Sequence, residues 1–411
     1  MSATRKTTVA VLFGGRSVEH DVSVVTGHQI MRAFDSARYE VVPVYITRDG
    51  RWYTGEPLLD LNNYPNEVTS HKGVYNTVLS PSTQHHGLII NPVVPRFHQK
   101  NSVKRIDVLF PAVHGTHGED GTLQGLFELA DIPYVGCGVL ASALANDKSL
   151  TKQVLRQAGV PVVPDVTFSR GDWLAGADAL IDRLEAEIRY PMFIKPVTLG
   201  SSIGVNRAEE RTLLRAAIDV AVNFDRRVIV EAAVQQADEI NCSVMGNGSQ
   251  IEASVLEQPV SWEKFLTYEE KYLRGSEGMK SAERIIPAPL TPEMTAKVQQ
   301  TAIAAFKAID GRGIARIDFL VKGETVYLNE INTLPGSLSF YLWHENGLSP
   351  ADVVEKLVRL AQDAHAEKRR TSYDYQTDLI TMTAQRGLKG TKGSKGTKGT
   401  RSASPASQAK S

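Results

Sequence analysis

The 411-residue chain is poor in cysteine, in long apolar runs and in net charge. Its two cysteines, Cys137 and Cys242, cannot form a disulfide framework, and neither has a neighbour at metal-ligand spacing. We expect both to be small buried residues. No apolar stretch reaches the roughly 20 residues of a membrane span, and the polar, basic residues 1–8 do not resemble a signal peptide. The sequence therefore predicts a cytoplasmic protein with no membrane span.

The formal charge of zero hides an asymmetry between the two ends of the chain. Residues 386–411 carry seven Lys or Arg and no acid, in a Lys-Gly-Thr or Lys-Gly-Ser repeat with almost nothing apolar to bury. We predict a basic, low-complexity, disordered tail over 366–411. A solubilising or vestigial extension is the favoured interpretation, and nonspecific contact with nucleic acid or an anionic membrane surface is the alternative.

The composition is that of an ordinary globular protein, with 42% hydrophobic and 22% charged residues. The chain is long enough for two or three domains. Short apolar strands alternate with a helical pattern in the first third, at 7–13, 22–34, 40–46 and 106–113. This alternation predicts a doubly wound α/β domain with a parallel sheet. The long stretch 55–105, which separates the predicted strands 40–46 and 106–113, is predicted to add a local hairpin.

A second unit begins near Val160-Pro161-Val162-Val163-Pro164, an extended connection after a helical segment. Strands are predicted at 192–195 and 227–231, with a helix over about 209–223. Between them lies the loop 198–204, where glycines allow a ligand close to the backbone and two serines offer hydrogen bonds to phosphate. Alone, such Gly/Ser loops are common.

A charged pair of strands follows, at 313–321 and 325–330, joined by a short turn. Asp318, Glu330 and Asn332 are hard oxygen ligands, and the two-residue spacing of the last two puts both on one face of a strand. Arg316 should point the same way as Asp318 and offer a fixed cation to developing negative charge. The pattern favours a magnesium-nucleotide site; an ordinary hairpin with a charged face is the alternative.

Four motifs stand together in this order, at 14–23, 114–125, 195–204 and 316–336. With them, the chain resembles the D-alanine:D-alanine ligases of the ATP-grasp superfamily over about residues 7–361. The resemblance implies a three-domain α/β architecture with ATP held between central and C-terminal α+β domains. It also implies ligation of two D-alanines into D-alanyl-D-alanine through a D-alanyl phosphate, for peptidoglycan precursors.

The domains implied are an N-terminal α/β substrate domain at 1–136, a central ATP-grasp domain at 137–232 and a C-terminal one at 233–365, with a mobile lid at about 263–284. The nucleotide contacts implied by the resemblance come from side chains and backbone spread over these domains, namely Lys148, Lys195, Glu231, Val234, Glu239 and Lys271. The resemblance also implies two Mg²⁺ (or Mn²⁺) on Asp318, Glu330 and Asn332.

For the substrates, the resemblance implies that Glu19 holds the ammonium of the first D-alanine and that His114 lies near it. The remaining implied residues tie down the lid (Ser201, Tyr272), stabilise the oxyanion (Arg316, Gly336) and hold the second substrate's carboxylate (Ser339).

The identity of the second substrate stays open at this point. Tyr272 is retained, which favours D-alanine over D-lactate, but residues 337–343 differ from the best-known relatives, so a sister ligase using D-lactate, D-serine or another second substrate is the alternative. A noncatalytic nucleotide-binding protein recruited by its basic tail is a third reading. The resemblance also implies a homodimer.

Overall fold

The structure is a computed structural model that describes residues 5–91, 101–260, 284–372 and 377–386. The chain divides into two compact units, Met1–Lys368 and Arg369–Ser411. Within the described ranges, no helix is both long and apolar enough to cross a membrane. The tail from 387 onward, and the predicted lid apart from its last residue, lie outside the described residues.

Seven strands form the first sheet: β1 (Thr7–Gly14), β2 (Tyr39–Ile46), β3 (Trp52–Thr54), β4 (Tyr75–Leu79), β5 (Gly87–Ile90), β6 (Ser102–Arg105) and β7 (Val108–Pro111). Their spatial order is β6-β5-β4-β3-β2-β1-β7. Strand β1, next to the edge strand β7, is buried along almost its whole length and pairs in parallel with β2 and β7. The other pairings are antiparallel, and β4 with β5 forms the hairpin predicted between 55 and 105.

Four helices accompany and follow this sheet: α1 (His20–Ala33), α2 (Thr122–Ala130), α3 (Val139–Asn146) and α4 (Lys148–Gln157). The turn from β1 into α1 depends on glycine. Gly14 has a φ of +87°, and a Cβ there would lie 2.2 Å from the carbonyl oxygen of Ile46. Only glycine tolerates both the backbone angle and this approach, so the chain can turn sharply at the carboxyl end of β1.

The second sheet is antiparallel and consists of β8 (Asp165–Ser169), β9 (Met192–Pro196), β10 (Asn206–Ala208) and β11 (Arg227–Ala232). Its order is β10-β9-β11-β8. Helices α5 (Arg170–Glu187) and α6 (Arg211–Phe224) pack on it through a core that includes Trp173, Leu184 and Ile218. Because the apolar side chains of the sheet face these helices, its polar side chains lie on the opposite face.

The third sheet is also antiparallel and consists of β12 (Asp238–Asn247), β13 (Gln250–Pro259), β14 (Arg284–Ile285), β15 (Gly313–Lys322) and β16 (Thr325–Asn332), in the order β14-β13-β12-β15-β16. Three further helices belong to the first unit, α7 (Pro292–Ala308), α8 (Phe340–Glu345) and α9 (Pro350–Lys368), and α10 (Leu379–Arg386) belongs to the second. Ile317 and Phe319 share a buried core with Phe306 of α7. Because side chains alternate along a strand, residues 316 and 318 lie on the opposite face.

The three sheets follow one another along the chain. The second sheet falls within 137–232 and the third within 233–365, the ranges predicted for the central and C-terminal domains. The domain boundaries themselves stay predictions.

Candidate active site

The polar face of β15 and β16 brings four of the predicted residues together. Arg316 lies opposite Asn332 across the strands, and Asp318 lies opposite Glu330. The Arg316 guanidinium donates to both carboxylate oxygens of Asp318, at 2.7 and 2.8 Å, and Asn332 Nδ2 donates to Asp318 Oδ2 at 3.0 Å. This is a bidentate, charge-assisted pair with an amide beside it.

A β-bulge sets this arrangement. Asp318 pairs with Glu330 while the next residue, Phe319, pairs with Leu328, so Asn329 has no partner across the strands. Such an extra residue re-aims its neighbours. The side-chain oxygen of Asn329 accepts a hydrogen bond from Lys195 Nζ at 3.4 Å, which connects this face with the second sheet.

The charges on this face fit a divalent cation. Burial raises the pKa of Asp318, and the negative charges of Glu330 and Glu257 raise it further, in spite of Arg316. Carboxylates crowded in this way need more positive charge than one guanidinium supplies. In the described part of the chain, no group of three or more His, Cys, Asp or Glu could hold a metal, so a cation here would also need the amide oxygen of Asn332.

Two of the predicted phosphate-binding lysines come from different elements. Lys148 Nζ, at the start of α4, donates to the carbonyl oxygen of Leu199 in the 198–204 loop at 2.6 Å. Lys195, on β9, has its Nζ 2.7 Å from Glu231 Oε2 on β11. Burial by itself would lower the pKa of Lys195, but the charge and hydrogen bond of Glu231 outweigh it and the pKa is raised. Lys195 is therefore a firmly charged ammonium.

Glu231 forms a buried ion pair with a second lysine, Lys152, which the sequence analysis did not single out. Burial would raise the pKa of Glu231, but Lys195 and Lys152 outweigh it and lower the pKa to about 2. The other residues predicted around the nucleotide are less enclosed: Val234 is half-buried and Glu239 is exposed on β12. Glu239 acts electrostatically on Lys195, so it belongs to the same region. Their roles stay predictions.

The turn after β1 and the loop at 198–204 meet directly. Ser201 Oγ donates a hydrogen bond to Glu19 Oε1, although the two residues are 182 positions apart. Ser201 and Ser202 both have positive φ, of 53° and 59°, in this glycine-flanked loop. The backbone N–H of Glu19 donates to Ser17 Oγ at 3.1 Å. The structure thus joins two of the predicted substrate-site residues.

His114 holds three segments together. Its Nδ1 lies 3.0 Å from the carbonyl oxygen of Leu334, and its Nε2 lies 2.9 Å from Thr26 Oγ1. A carbonyl oxygen can only accept, so Nδ1 is assigned the proton and Nε2 accepts from the Thr26 hydroxyl. Thr26 Oγ1 in turn accepts the backbone N–H of Ser337 at 3.3 Å. The histidine therefore ties α1 and the loop after β7 to the segment around Gly336.

Glu119 carries a partly buried carboxyl group that the sequence analysis missed as part of the site. It accepts the backbone N–H of Gly115 at 2.8 Å and of Leu334 at 3.1 Å. Burial raises its pKa, and the charge of Glu19 raises it further. Its position inside the 114–125 motif is the feature of the sequence that could have identified it. It links the same two loops as His114 does.

The D-ala D-ala ligase N-terminus family matches residues 8–137, and the D-ala D-ala ligase C-terminus family matches residues 154–359. The D-alanine–D-alanine ligase of Geobacillus thermodenitrificans is 39% identical over 377 residues, covering 90% of this chain and 100% of that protein. That of Heliobacterium modesticaldum is 40% identical over 378 residues, covering 89% and 98%. The chain belongs to the D-alanine–D-alanine ligase family.

Solved structures agree. The D-Ala:D-Ser ligase VanG of Enterococcus faecalis matches with a TM-score of 0.75 and 32% identity, covering 87% of this chain and all of that one. The D-alanine–D-alanine ligase of Coxiella burnetii matches with a TM-score of 0.72 and 31% identity, covering 92% and 100%. The family recognised from the sequence and its three-sheet ATP-grasp fold are confirmed.

In this member of the ligase family, the segment after Gly336 has an unusual backbone. Ser337, Leu338 and Ser339 have φ values of 49°, 49° and 51°, a left-handed turn that non-glycine residues rarely adopt. Leu338 is buried in the core and the Ser339 side chain is fully buried, with no hydrogen-bond partner for its Oγ among the described residues. Ser339 was predicted to hold the second substrate's carboxylate, and that role stays a prediction.

A second cluster of interacting side chains lies beside the ligase site, and the sequence analysis did not predict it. The Tyr341 hydroxyl donates to Glu257 Oε2 at 2.6 Å, and Asn241 Nδ2 donates to the same oxygen at 3.2 Å. Arg284 lies 3.3 Å from Glu257 Oε1, and its guanidinium stands 4.5 Å from the centre of the Tyr341 ring. These residues are far apart in sequence and match no motif: the pairing of β12, β13 and β14 brings Asn241, Glu257 and Arg284 together, and the packing of α8 on β13 adds Tyr341. The predicted lid residues Lys271 and Tyr272 lie outside the described residues.

Proposed function

We propose that this chain is an ATP-dependent ligase that joins two D-alanines into D-alanyl-D-alanine through a D-alanyl phosphate, for peptidoglycan precursors. The observation that carries the proposal is the hydrogen bond from Ser201 to Glu19. It places the carboxylate proposed to hold the amino acid's ammonium directly against the loop proposed to approach phosphate. An amino acid and the end of a nucleotide can therefore meet at one place.

The first step is phosphorylation of the first D-alanine, because a free carboxylate is a poor acyl donor. Lys195 and Lys148 supply fixed positive charge for the ATP phosphates, and Glu19 binds the substrate's ammonium. Two Mg²⁺ (or Mn²⁺), held by Asp318, Glu330 and Asn332, would offset charge on the phosphates during transfer. The backbone at Glu231 and Val234 is proposed to bind the adenine, and Glu239 the ribose hydroxyls.

The second step is attack by the amine of the second D-alanine on the acyl phosphate. Arg316 and the backbone N–H of Gly336 are proposed to stabilise the oxyanion that forms. His114 and Glu119 hydrogen-bond to the backbone of Leu334, two residues before Gly336, and are proposed to help orient that N–H. Lys271 and Tyr272, on the proposed lid, would close over the substrates and exclude water.

A different second substrate is the second candidate, and one specific observation favours it. A solved relative of similar fold is a D-Ala:D-Ser ligase. D-serine or D-lactate would use the same first step and the same acyl phosphate.

Two further properties are part of the proposal. We propose a cytoplasmic location, because ATP is its phosphoryl donor, and a homodimer, because of the family resemblance. Sedimentation of the purified chain tests the oligomer. Removal of residues 387–411 tests the tail: unchanged ligation with no lost partner would leave it without a role in the reaction.

The test of the activity is phosphate release by the purified chain with ATP and magnesium. D-alanine, L-alanine, and D-alanine with an excess of D-serine or D-lactate are compared, and the product masses are measured. Phosphate release with D-alanine alone and a dipeptide mass is the expected result. A mixed product in preference to the dipeptide would establish the second candidate, and no phosphate release under any condition would exclude both.

A further inference from the structure

Lys152 is a lysine whose side chain is almost completely buried, with 2% of its surface exposed. It lies on α4, one helical turn after Lys148, and is among the largest fully buried side chains in the described part of the chain. An ammonium in such a place is strongly unfavourable unless acceptors surround it. The groups around Lys152 therefore explain its presence.

Those groups are one carboxylate and one carbonyl. The Lys152 ammonium forms an ion pair with Glu231 Oε1 and lies 3.4 Å from the carbonyl oxygen of Val163. The other oxygen of Glu231, whose side chain is 4% exposed, is 2.7 Å from Lys195 Nζ. One carboxylate is thus shared between two ammonium groups, and the cluster carries one positive charge in excess.

The two lysines differ in their access to a ligand. The Lys195 side chain is 15% exposed, and its Nζ reaches Asn329 beside the charged face of β15 and β16. Lys152 faces a backbone carbonyl and is closed off. An anion arriving at the site can therefore contact Lys195 and not Lys152.

We propose that Lys152 is a positioning residue that neutralises Glu231, so that the positive charge of Lys195 stays available to the phosphates of ATP. The inference rests on the proposed use of ATP at this site. Without Lys152, the Glu231 carboxylate would be balanced by Lys195, and that pair would present no net charge to an anion. When Lys152 is present, it therefore affects nucleotide binding without touching the nucleotide.

The test compares ATP with adenosine, which lacks the phosphates. In the full chain, Lys152→Met should raise the Kd for ATP about tenfold or more and leave the Kd for adenosine within about twofold, both measured by calorimetry. The matched control is Arg156→Met, which removes a cation from the same helix, one paired with Asp165 instead of Glu231. Its ratio of ATP to adenosine affinity should equal that of the wild type.

Equal weakening of ATP and adenosine by Lys152→Met would overturn the proposal, because a lysine that only supports the fold has no reason to select phosphate. A second variant, Lys152→Met with Glu231→Gln, removes both charges and covers the case in which the single variant does not fold. Its affinity ratio should be at or above that of the wild type, and a lower ratio would also overturn the proposal. ATP binding by the wild type is measured separately, so failure of the proposed function would be seen there first.

Discussion

The fold holds His114 in its neutral form, and this makes the stability of the protein depend on pH. Burial lowers the pKa of His114 from an ordinary 6.5 to about 4; its hydrogen bond to Leu334 opposes the shift and the charge of Arg316 adds to it. In the unfolded chain the histidine takes up a proton near pH 6.5. Between pH 6.5 and about 4 the unfolded state therefore binds more protons than the folded state, and stability falls as the pH is lowered.

The size of the effect follows from the gap between the two pKa values. A gap of about 2.5 pH units corresponds to about 3 kcal/mol, of which about 2 kcal/mol is lost between pH 7 and pH 5. His114→Gln keeps a polar side chain and removes the titrating group. The stability advantage of the wild type over this variant should therefore shrink by about 2 kcal/mol over that range.

The assay is urea unfolding of both proteins at a series of pH values from 7 to 5, with His117→Gln as the control. His117 lies in the same loop with its side chain about half exposed, at 49%. Taking the difference between the wild type and His114→Gln cancels the other groups that titrate in this range. Parallel stability curves for the two proteins would refute the assignment of His114 as a buried neutral histidine.

Four further predictions test other parts of the structure. Glu330→Gln should lower kcat by about a hundredfold or more, measured as phosphate release over a magnesium titration, because the cation site loses a charge. Glu119→Gln should lower kcat about tenfold or more, because the amide replaces one of the two oxygens that face the N–H groups of Gly115 and Leu334. Ser243→Ala should cost about 1–3 kcal/mol of unfolding free energy in urea, since it leaves the buried Trp343 Nε1–H without its acceptor. Tyr272→Phe should leave ATP affinity unchanged and raise the share of D-lactate product, read by mass, because the proposed lid loses a hydrogen bond.

For each of these predictions, a specific outcome would contradict the reasoning. Near-normal turnover of Glu330→Gln would overturn the metal assignment, and normal kinetics of Glu119→Gln would remove it from the positioning of Gly336. A loss below about 0.5 kcal/mol for Ser243→Ala would mean that Trp343 finds another acceptor. Unaltered D-lactate use by Tyr272→Phe would count against its proposed role in choosing the nucleophile.

Local patterns in the sequence were enough for the elements that lie along one stretch of chain. The apolar run before Gly14 predicted β1, because a strand buried on both faces needs apolar side chains throughout. The two-residue spacings around Asp318 and Glu330 predicted a shared face, because side chains of a strand alternate. The sheet around β1 is less parallel than the alternation of strands and helices suggested, since antiparallel strands extend one edge.

Long-range contacts needed the tertiary structure. The family resemblance named Glu19 and Ser201 as site residues, and the fold of two separate loops brings their side chains into a hydrogen bond. Nothing in the sequence marked the bulge that frees Asn329 for Lys195, because register depends on how both strands pack.

By itself, then, the sequence determined the family, the main strands and helices, and most of the charged groups of the site, since all of these depend on short-range pattern and residue type. Only the tertiary structure decided which charges pair. Lys152 is one lysine among many in the sequence and becomes the buried partner of Glu231 only when α4 packs against β11. Ser339 is a polar residue in the sequence, and the fold buries its side chain completely. Burial and ion pairing depend on residues far apart in the chain, and no local pattern records them.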